Sequence, residues 1–114
     1  MPPSTQQHFD GRAPVVRKIY DQLLVATRAM GPVIEDPKKT SIHLARRTAF
    51  AGVQTRKDAL ILTLKSSRDI SNPRIIKHEQ ASANRWHLDV RLTTPSEVDA
   101  QLIGWLEQAF ALAE

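Results

Sequence analysis

The sequence predicts an α+β domain in which two helices flank an antiparallel β-sheet. Apolar residues recur at helical spacing near both ends of the chain and alternate with polar residues in the middle. The segments in the middle are joined by short connections, which favour antiparallel neighbours. The simplest arrangement is a two-layer sandwich, with both helices on one face of a four- to five-stranded sheet and the other face open.

The N-terminal part of the chain predicts a tail followed by a helix. Residues 1–12 combine Pro, Ser, Thr and Gln and indicate a flexible tail, so residues 13–114 form the single predicted domain. Pro14 suits the first position of a helix, where its missing amide hydrogen costs nothing. One apolar stripe follows and ends at Gly31, which predicts a helix over residues 14–30.

The middle of the chain changes to a period of two residues. Apolar residues alternate with polar ones over residues 40–45, 60–65 and 86–92, and more weakly over residues 50–54 and 75–80. Alternation of this kind is typical of strands with one packed face and one face in water. The sequence therefore predicts four or five strands joined as a meander.

The last helix has the clearest local signal. Thr94 is placed as an N-cap, Pro95 as the first helical residue and Glu97 as the residue that reaches back to the cap. An apolar face follows and predicts a helix over residues 95–113.

The aromatic residues are predicted to belong to the core. We expect Trp105 to lie between the last helix and the sheet face that carries Leu62 and Leu88. The other aromatic residues assigned to the core are Phe50, Trp86 and Phe110.

Composition excludes several classes of protein. The chain has 114 residues and no cysteine, which excludes disulfides, thiolate nucleophiles and cysteine-ligated zinc. No apolar run is long enough to span a bilayer, and the first residues lack the pattern of a secretion signal. We therefore expect a cytoplasmic protein with no membrane partner.

Charge is unevenly distributed along the chain. The net charge is +4, but residues 37–91 carry a net charge of +8 and residues 92–114 a net charge of −4. A basic middle and an acidic end indicate a dipolar surface suited to an anionic partner such as nucleic acid. The alternative is a solvated sheet whose Lys and Arg side chains protect its turns and edges.

Several short motifs resemble one family. The segments are Pro37-Lys38-Lys39-Thr40-Ser41-Ile42-His43-Leu44, Phe50-Ala51-Gly52-Val53, Asn72-Pro73-Arg74, Arg85 to Leu92 and Pro95-Ser96-Glu97-Val98-Asp99. Their order and spacing resemble the domain of unknown function 5655 family, from about Phe9 to Ala113. The opening from Asp10 to Tyr20 is also similar.

The resemblance implies little chemistry. The family has no established activity, and some of its members are joined to restriction or nuclease-like domains, which favours a module that binds nucleic acid or protein. Lys39-Thr40 is the most distinctive dipeptide of the family pattern. An exposed lysine beside a hydroxyl can bind phosphate or carboxylate, whereas the alternative is simply a strand that begins at Thr40.

Two groups of candidate site residues follow. The candidate anion-binding residues are basic or hydroxyl side chains of the middle segment: Lys38, Lys39, Thr40, Arg46, Arg47, Lys65 and Arg91. The candidate polar cluster contains residues that the alternation places on the open face: His43, Thr63, His87 and Asp89.

Neither group indicates catalysis. Two histidines and an aspartate resemble a metal-binding triad in composition, but no close helical pair of ligands supports one. Ser41 and Thr63 lack the glycine elbow of a nucleophile. We therefore expect no enzyme activity, no metal and no cofactor.

The sequence leaves three functional hypotheses. The first is a non-catalytic binding module whose basic open face binds nucleic acid or a protein partner. The second is a structural domain that forms a homodimer through the same face. The third, less favoured, is a sandwich that binds a small ligand or metal.

Overall fold

The computed structural model describes residues 3–113 and confirms an α+β fold. Helix α1 spans Pro14–Arg28 and helix α2 spans Ala100–Leu112. Short 3-10 turns at Gln6–Phe9 and Pro95–Glu97 precede the two helices. Within the described residues, no helix combines the length and apolar character needed to cross a membrane.

Six strands form one antiparallel sheet between the helices. They are β1 (Ile34–Pro37), β2 (Ile42–Ala45), β3 (Ala49–Thr55), β4 (Leu60–Ser66), β5 (Ile75–Ser82) and β6 (Arg85–Leu92). The predicted number of four to five strands is therefore too low, and β1 is the strand that was missed. It is short, ends in proline and contains two acidic residues, so it shows no alternating apolar pattern.

Strand β1 is attached to α1 by polar contacts. The Tyr20 hydroxyl donates a hydrogen bond to Glu35 at 2.7 Å, and Arg28 donates to the second oxygen of that carboxylate at 3.0 Å. Burial raises the pKa of Tyr20, and the hydrogen bond to Glu35 raises it further, so the phenol stays protonated. These contacts hold a strand that contributes little apolar surface.

The strand order is β1-β2-β3-β4-β6-β5, which departs from the predicted meander at its last two strands. The segment between Ser66 and Ile75 is too long for a tight hairpin, so the chain passes beyond the position of β6 before β5 begins. Strand β5 is consequently an edge strand. It is exposed from Ile76 onward, and its pairing with β6 is interrupted by two register shifts.

One face of the sheet, called the covered face, forms the core with both helices. A single cluster of buried side chains joins Val16, Ile19, Leu23, Leu102 and Leu106 of the helices to alternate residues of the strands. The strand residues in this cluster include Ile42, Leu44, Val53, Leu62, Leu64, Leu88 and Val90. The opposite face, called the open face, carries the residues between them.

A bulge interrupts the alternation in β3. Leu44 pairs with Ala51 and Ala45 pairs with Ala49, which leaves Phe50 as the extra residue. Phe50 is fully buried, and its ring meets Phe110 edge-on at a centroid distance of 5.3 Å. The bulge thus turns a large side chain into the core and leaves small residues beside it.

Trp105 does not occupy the core position that the sequence predicts. It is half-buried at the margin of the core, and the Arg74 guanidinium lies 5.9 Å from the centre of its ring. The fully buried positions of α2 are Leu102, Leu106 and Ala109. Trp86 is also only half-buried. The buried stripe of α2 therefore runs through Leu106 and Phe110, to one side of Trp105.

The predicted start of the last helix is wrong by five residues. The capping box between Thr94 and Glu97 does form, but it caps a 3-10 turn that ends at Val98, whose backbone is not helical. Asp99 is a second cap, and its carboxylate accepts a hydrogen bond from the Leu102 amide at 3.0 Å before α2 continues. At the other helix, α1 ends at Arg28, two residues before the predicted end.

The segment expected to be a flexible tail contacts the domain at several points. Phe9 is buried, and its ring centre lies 5.1 Å from that of Tyr20. His8 contacts the Lys38 carbonyl through Nε2 at 2.8 Å, and its own carbonyl accepts a hydrogen bond from the Thr55 hydroxyl. Met1 and Pro2, also assigned to that tail, lie outside the described residues.

Candidate functional site

A row of polar residues crosses the open face of the sheet. The register places His43 opposite Gly52, Gly52 opposite Thr63, and Thr63 opposite Asp89. Asp89 in turn lies opposite Lys77 of the edge strand. The structure therefore brings all four residues of the polar cluster to one face, although they are spread across β2, β4 and β6.

Two contacts connect neighbouring members of this surface. The Thr63 hydroxyl donates a hydrogen bond to Asp89 at 2.7 Å. In the adjacent row, Lys65 lies opposite His87 in the strand register, and His87 lies opposite Glu79. The distance between the His87 Nδ1 and a Glu79 oxygen is 3.8 Å. One oxygen of Asp89 thus accepts a hydrogen bond from Thr63, whereas the Lys65 ammonium has no ion-pair partner among residues 3–113.

A depression of about 280 Å³ lies above Gly52. Ala49, Ala51 and Gly52 of β3 line it, although Ala51 is only 4% exposed and belongs to the core cluster. Polar side chains complete the lining: Ser41, His43, Gln54, Thr63, Lys65 and His87. The combination of small residues and polar side chains around a depression is typical of a binding site rather than a plain sheet surface.

Lys65 carries the formal charge that lines the Gly52 depression. Lys65, His43 and His87 are its ionisable side chains, and none of its lining residues is acidic within the described part of the chain. A second depression of about 190 Å³ adjoins it and shares Gln54, Thr63 and His87, but is also lined by Lys77, Glu79 and Asp89. The Gly52 depression therefore favours an anion, and the second depression has mixed charge.

The positions of the histidines exclude a shared metal ion. His43 lies on β2 and His87 on β6, three strand spacings apart in the sheet order. Three spacings correspond to about 14 Å between the backbones, which is too far for two ligands of one ion. Among residues 3–113, no three His, Asp or Glu side chains form a group that could hold a metal.

The candidate anion-binding residues occupy separate places. Lys38, Lys39 and Thr40 lie in the exposed turn between β1 and β2, where Lys38 forms an ion pair with Asp36 at 2.8 Å. Arg46 and Arg47 lie at the opposite end of β2. The structure does not bring these two groups together.

Arg46 has a structural contact with α2. Its guanidinium lies 4.4 Å from the centre of the Phe110 ring and donates a hydrogen bond to the Phe110 carbonyl at 3.4 Å. The backbone amide of Arg47 donates to the Ala113 carbonyl at 3.3 Å. These contacts attach the turn between β2 and β3 to the end of the last helix.

Two candidate anion-binding residues lie on the open face. Lys65 is half-buried and lines the Gly52 depression. Arg91 is exposed two rows away from Lys65, opposite Ile61, and its guanidinium lies 3.9 Å from an Asp58 oxygen. Ser41, on the rim of the depression, is two residues from Lys39 in the chain, so the motif lysine lies near this surface.

The central residue of the depression was missed by sequence reasoning. Gly52 was assigned to a motif but was given no role in a site. An isolated glycine in a strand pattern nevertheless signals a bulge or a close approach to the backbone. Gln54 was missed as well, because a single polar residue in a strand carries no signal of its own.

Another motif residue, Arg74, forms a structural corner away from the depression. Its guanidinium donates to Asp99 at 2.9 Å and to the Glu97 carbonyl at 2.7 Å. The hydrogen bond from the Leu102 amide, followed by that from Arg74, lowers the pKa of Asp99. Burial raises the pKa of Glu97, but hydrogen bonds from Thr93 and Thr94 outweigh it and lower the pKa overall.

Comparison with known proteins identifies the family and no individual relative. No curated protein matches the chain, and no solved structure matches it. The sequence model of a domain of unknown function, family 5655, matches residues 5–113. That range includes both helices, all six strands and every residue of the Gly52 depression. The resemblance drawn from the motifs is confirmed: the chain belongs to the domain of unknown function 5655 family.

Proposed function

We propose that this protein is a non-catalytic binding module that binds an anionic partner on its open face. The observation that carries the proposal is the lining of the Gly52 depression, where Lys65, His43 and His87 are the ionisable side chains. A lysine that forms no ion pair within residues 3–113 and lies beside hydroxyl and amide groups is suited to carboxylate or phosphate, because charge-assisted hydrogen bonds are the stronger ones.

A binding role is favoured over catalysis by the separation of the reactive side chains. The Thr63 hydroxyl already donates a hydrogen bond to Asp89, and His43 lies two strands away from Thr63. His87 and Asp89 are two residues apart on one strand, so their side chains run parallel about 7 Å apart. This spacing supports contacts with a ligand but not proton transfer between the two groups.

The proposal includes the two-layer arrangement and a cytoplasmic location. The common core of both helices with the covered face supports a sandwich that leaves the open face accessible. A cytoplasmic location follows the expectation from the sequence, and cell fractionation would test it.

A polyanion such as nucleic acid would need more contacts than the depression supplies. Lys65 and Arg91 lie on the open face, and Lys39 lies in the nearby turn between β1 and β2. If about four phosphates are contacted, the logarithm of the affinity for single-stranded DNA should fall with the logarithm of salt at a slope of about −3. A single anionic group would give a much shallower slope.

The experiment compares two charge variants in an NMR titration with inorganic phosphate and a single-stranded oligonucleotide. Lys65→Gln should weaken binding of both probes and reduce the salt slope for the oligonucleotide by about one unit. Lys57→Gln removes the same charge from the exposed turn between β3 and β4 and should leave binding unchanged. Equal effects of the two variants would show that only net charge matters and would contradict the proposal.

The competing hypothesis is a homodimer formed through the open face. It predicts a mass that rises with concentration, little dependence on salt, and disruption by Ile61→Asp, since Ile61 is the buried apolar residue of that face. Analytical ultracentrifugation distinguishes the two: a salt-independent dimer that binds neither phosphate nor oligonucleotide would replace the binding proposal.

A further inference from the structure

We infer that the ligand of this site is a small organic anion whose flat apolar group lies on Gly52, with its carboxylate or phosphate directed to Lys65. The inference rests on the proposed function and defines the size and shape of the partner. It is carried by Gly52, a residue for which neither backbone conformation nor packing gives a reason.

Gly52 lies in the middle of the central strand β3, where glycine is unfavourable. A glycine inside a strand loses more conformational freedom than other residues and contributes no side chain to packing. Its φ angle is not positive, since positive values among the described glycines occur at Gly11 and Gly31. The backbone at this position is therefore open to any residue.

Packing does not require glycine at this position either. A Cβ atom built on Gly52 would have its nearest neighbours at 3.9 Å, namely Cδ2 of His43 and Cβ of Thr63. Those are ordinary van der Waals contacts, so a Cβ atom fits at this position without displacing its neighbours. What the missing side chain provides is the space itself.

That space lies between His43 and Thr63 and is called the slot below. His43 and Thr63 stand on either side of Gly52, on strands two spacings apart, or about 10 Å. Ala49 and Ala51 line the depression beside it, together with the polar side chains. A flat group fits between the two walls and covers the exposed backbone.

Size and charge together define the ligand. The volume of about 280 Å³ lies just below the roughly 300–1,000 Å³ of typical ligand pockets, which limits the occupant to about one ring and its substituents. A bare phosphate would leave the slot over Gly52 uncovered, and a neutral ring would leave Lys65 unpaired. An aromatic carboxylate or a ring that carries a phosphate satisfies both.

The first test compares benzoate with the neutral benzamide by following amide signals in a ¹H–¹⁵N NMR titration. Benzoate should shift the signals of Gly52, Thr63 and Lys65 and bind at least about tenfold more tightly than benzamide, a difference equivalent to one charge-assisted contact. In Lys65→Gln that preference should disappear, whereas Lys77→Gln, outside the depression, should retain it.

The second test fills the slot without removing any polar group. Gly52→Val should weaken benzoate binding at least about tenfold and leave phosphate binding within about twofold, because only the ring needs the slot. Gly52→Ala should have an intermediate effect. A melting curve that is unchanged or shifted to higher temperature shows that each variant folds, and the 3.9 Å clearances of an added Cβ predict this for Gly52→Ala.

The outcomes separate this inference from the function on which it rests. If phosphate and oligonucleotide bind through Lys65 but Gly52→Val has no effect on benzoate, the small organic ligand is wrong and the anion-binding function stands. If benzamide binds as tightly as benzoate while phosphate still binds through Lys65, only the organic anion is wrong. If no anion binds in a manner that depends on Lys65, both are wrong.

Discussion

The two faces of the central strands differ in how completely they are packed. On the covered face, Val53 and Leu62 are fully buried and belong to the core shared with the helices. On the open face, their chain neighbours Gly52 and Thr63 line a depression. In these two strands the buried apolar side chains are therefore concentrated on the covered face, and the proposed binding site uses the other one.

The largest expected effect is on the covered face. Leu62→Ala should reduce the free energy of unfolding by about 2–5 kcal/mol, because the cavity lies between the sheet and the helices and cannot collapse easily. Urea unfolding followed by circular dichroism measures the change. Thr63→Ala, one residue away on the open face, should cost clearly less; equal losses would mean that the open face contributes to the core.

The next effect concerns the corner formed by Arg74. Arg74→Met retains much of the apolar stem over Trp105 but removes the hydrogen bonds to Asp99, Gln101 and the Glu97 carbonyl. We expect a loss of about 1–3 kcal/mol in urea unfolding. Arg68→Met, an exposed arginine in the connection before β5, is the matched control and should change stability little. A loss at position 68 as large as that at position 74 would contradict this role.

A smaller effect of opposite sign is expected at Gly52. Gly52→Val should raise the free energy of unfolding by about 0.5–1 kcal/mol, because valine favours a strand and restricts the unfolded chain. Thermal unfolding measures the shift. Destabilisation would show that the open face has no spare room at this position, and the contrast between the two faces would fail.

The smallest effect concerns pH. The pKa values of Glu97 and Asp99 are lowered in the folded state, from the reference values of 4.5 and 3.8. Their stabilising contribution is therefore complete above those values and is lost as the pH falls through the lower folded-state pKa values. We expect constant stability from pH 7 to about 5 and a decline below about 4.5. In Glu97→Gln the decline should be shallower, and an identical acid limb would exclude Glu97 as a contributor.

The sequence predicted the parts of the fold that rest on strong periodicity. Both helices and the five alternating strand segments are present, since their apolar faces form the core. Strand β1 was missed because its pairing depends on β2 and on the distant Tyr20, not on its own residues. The inverted order of β5 and β6 was missed too, although the long segment after Ser66 was a usable signal.

For the candidate site, alternation correctly predicted which side chains share a face but not which ones meet. His43 and His87 lie on the same face yet are separated by two intervening strands. Lys39 and Arg46 belong to the same basic segment of the sequence but lie at opposite ends of β2. Lys39 is in the turn that precedes this strand, and Arg46 is in the turn that follows it. Gly52 became important only once its neighbours across the strands were known.

The two edges of the sheet have a consequence for behaviour at high concentration. An exposed edge strand offers unpaired backbone groups to other chains, which promotes fibrous aggregation. Strand β1 is short and ends at Pro37, which cannot donate a backbone hydrogen bond, and β5 has two register shifts and a lysine at position 77. Both edges are therefore poor templates for an added strand, although β5 is long and exposed.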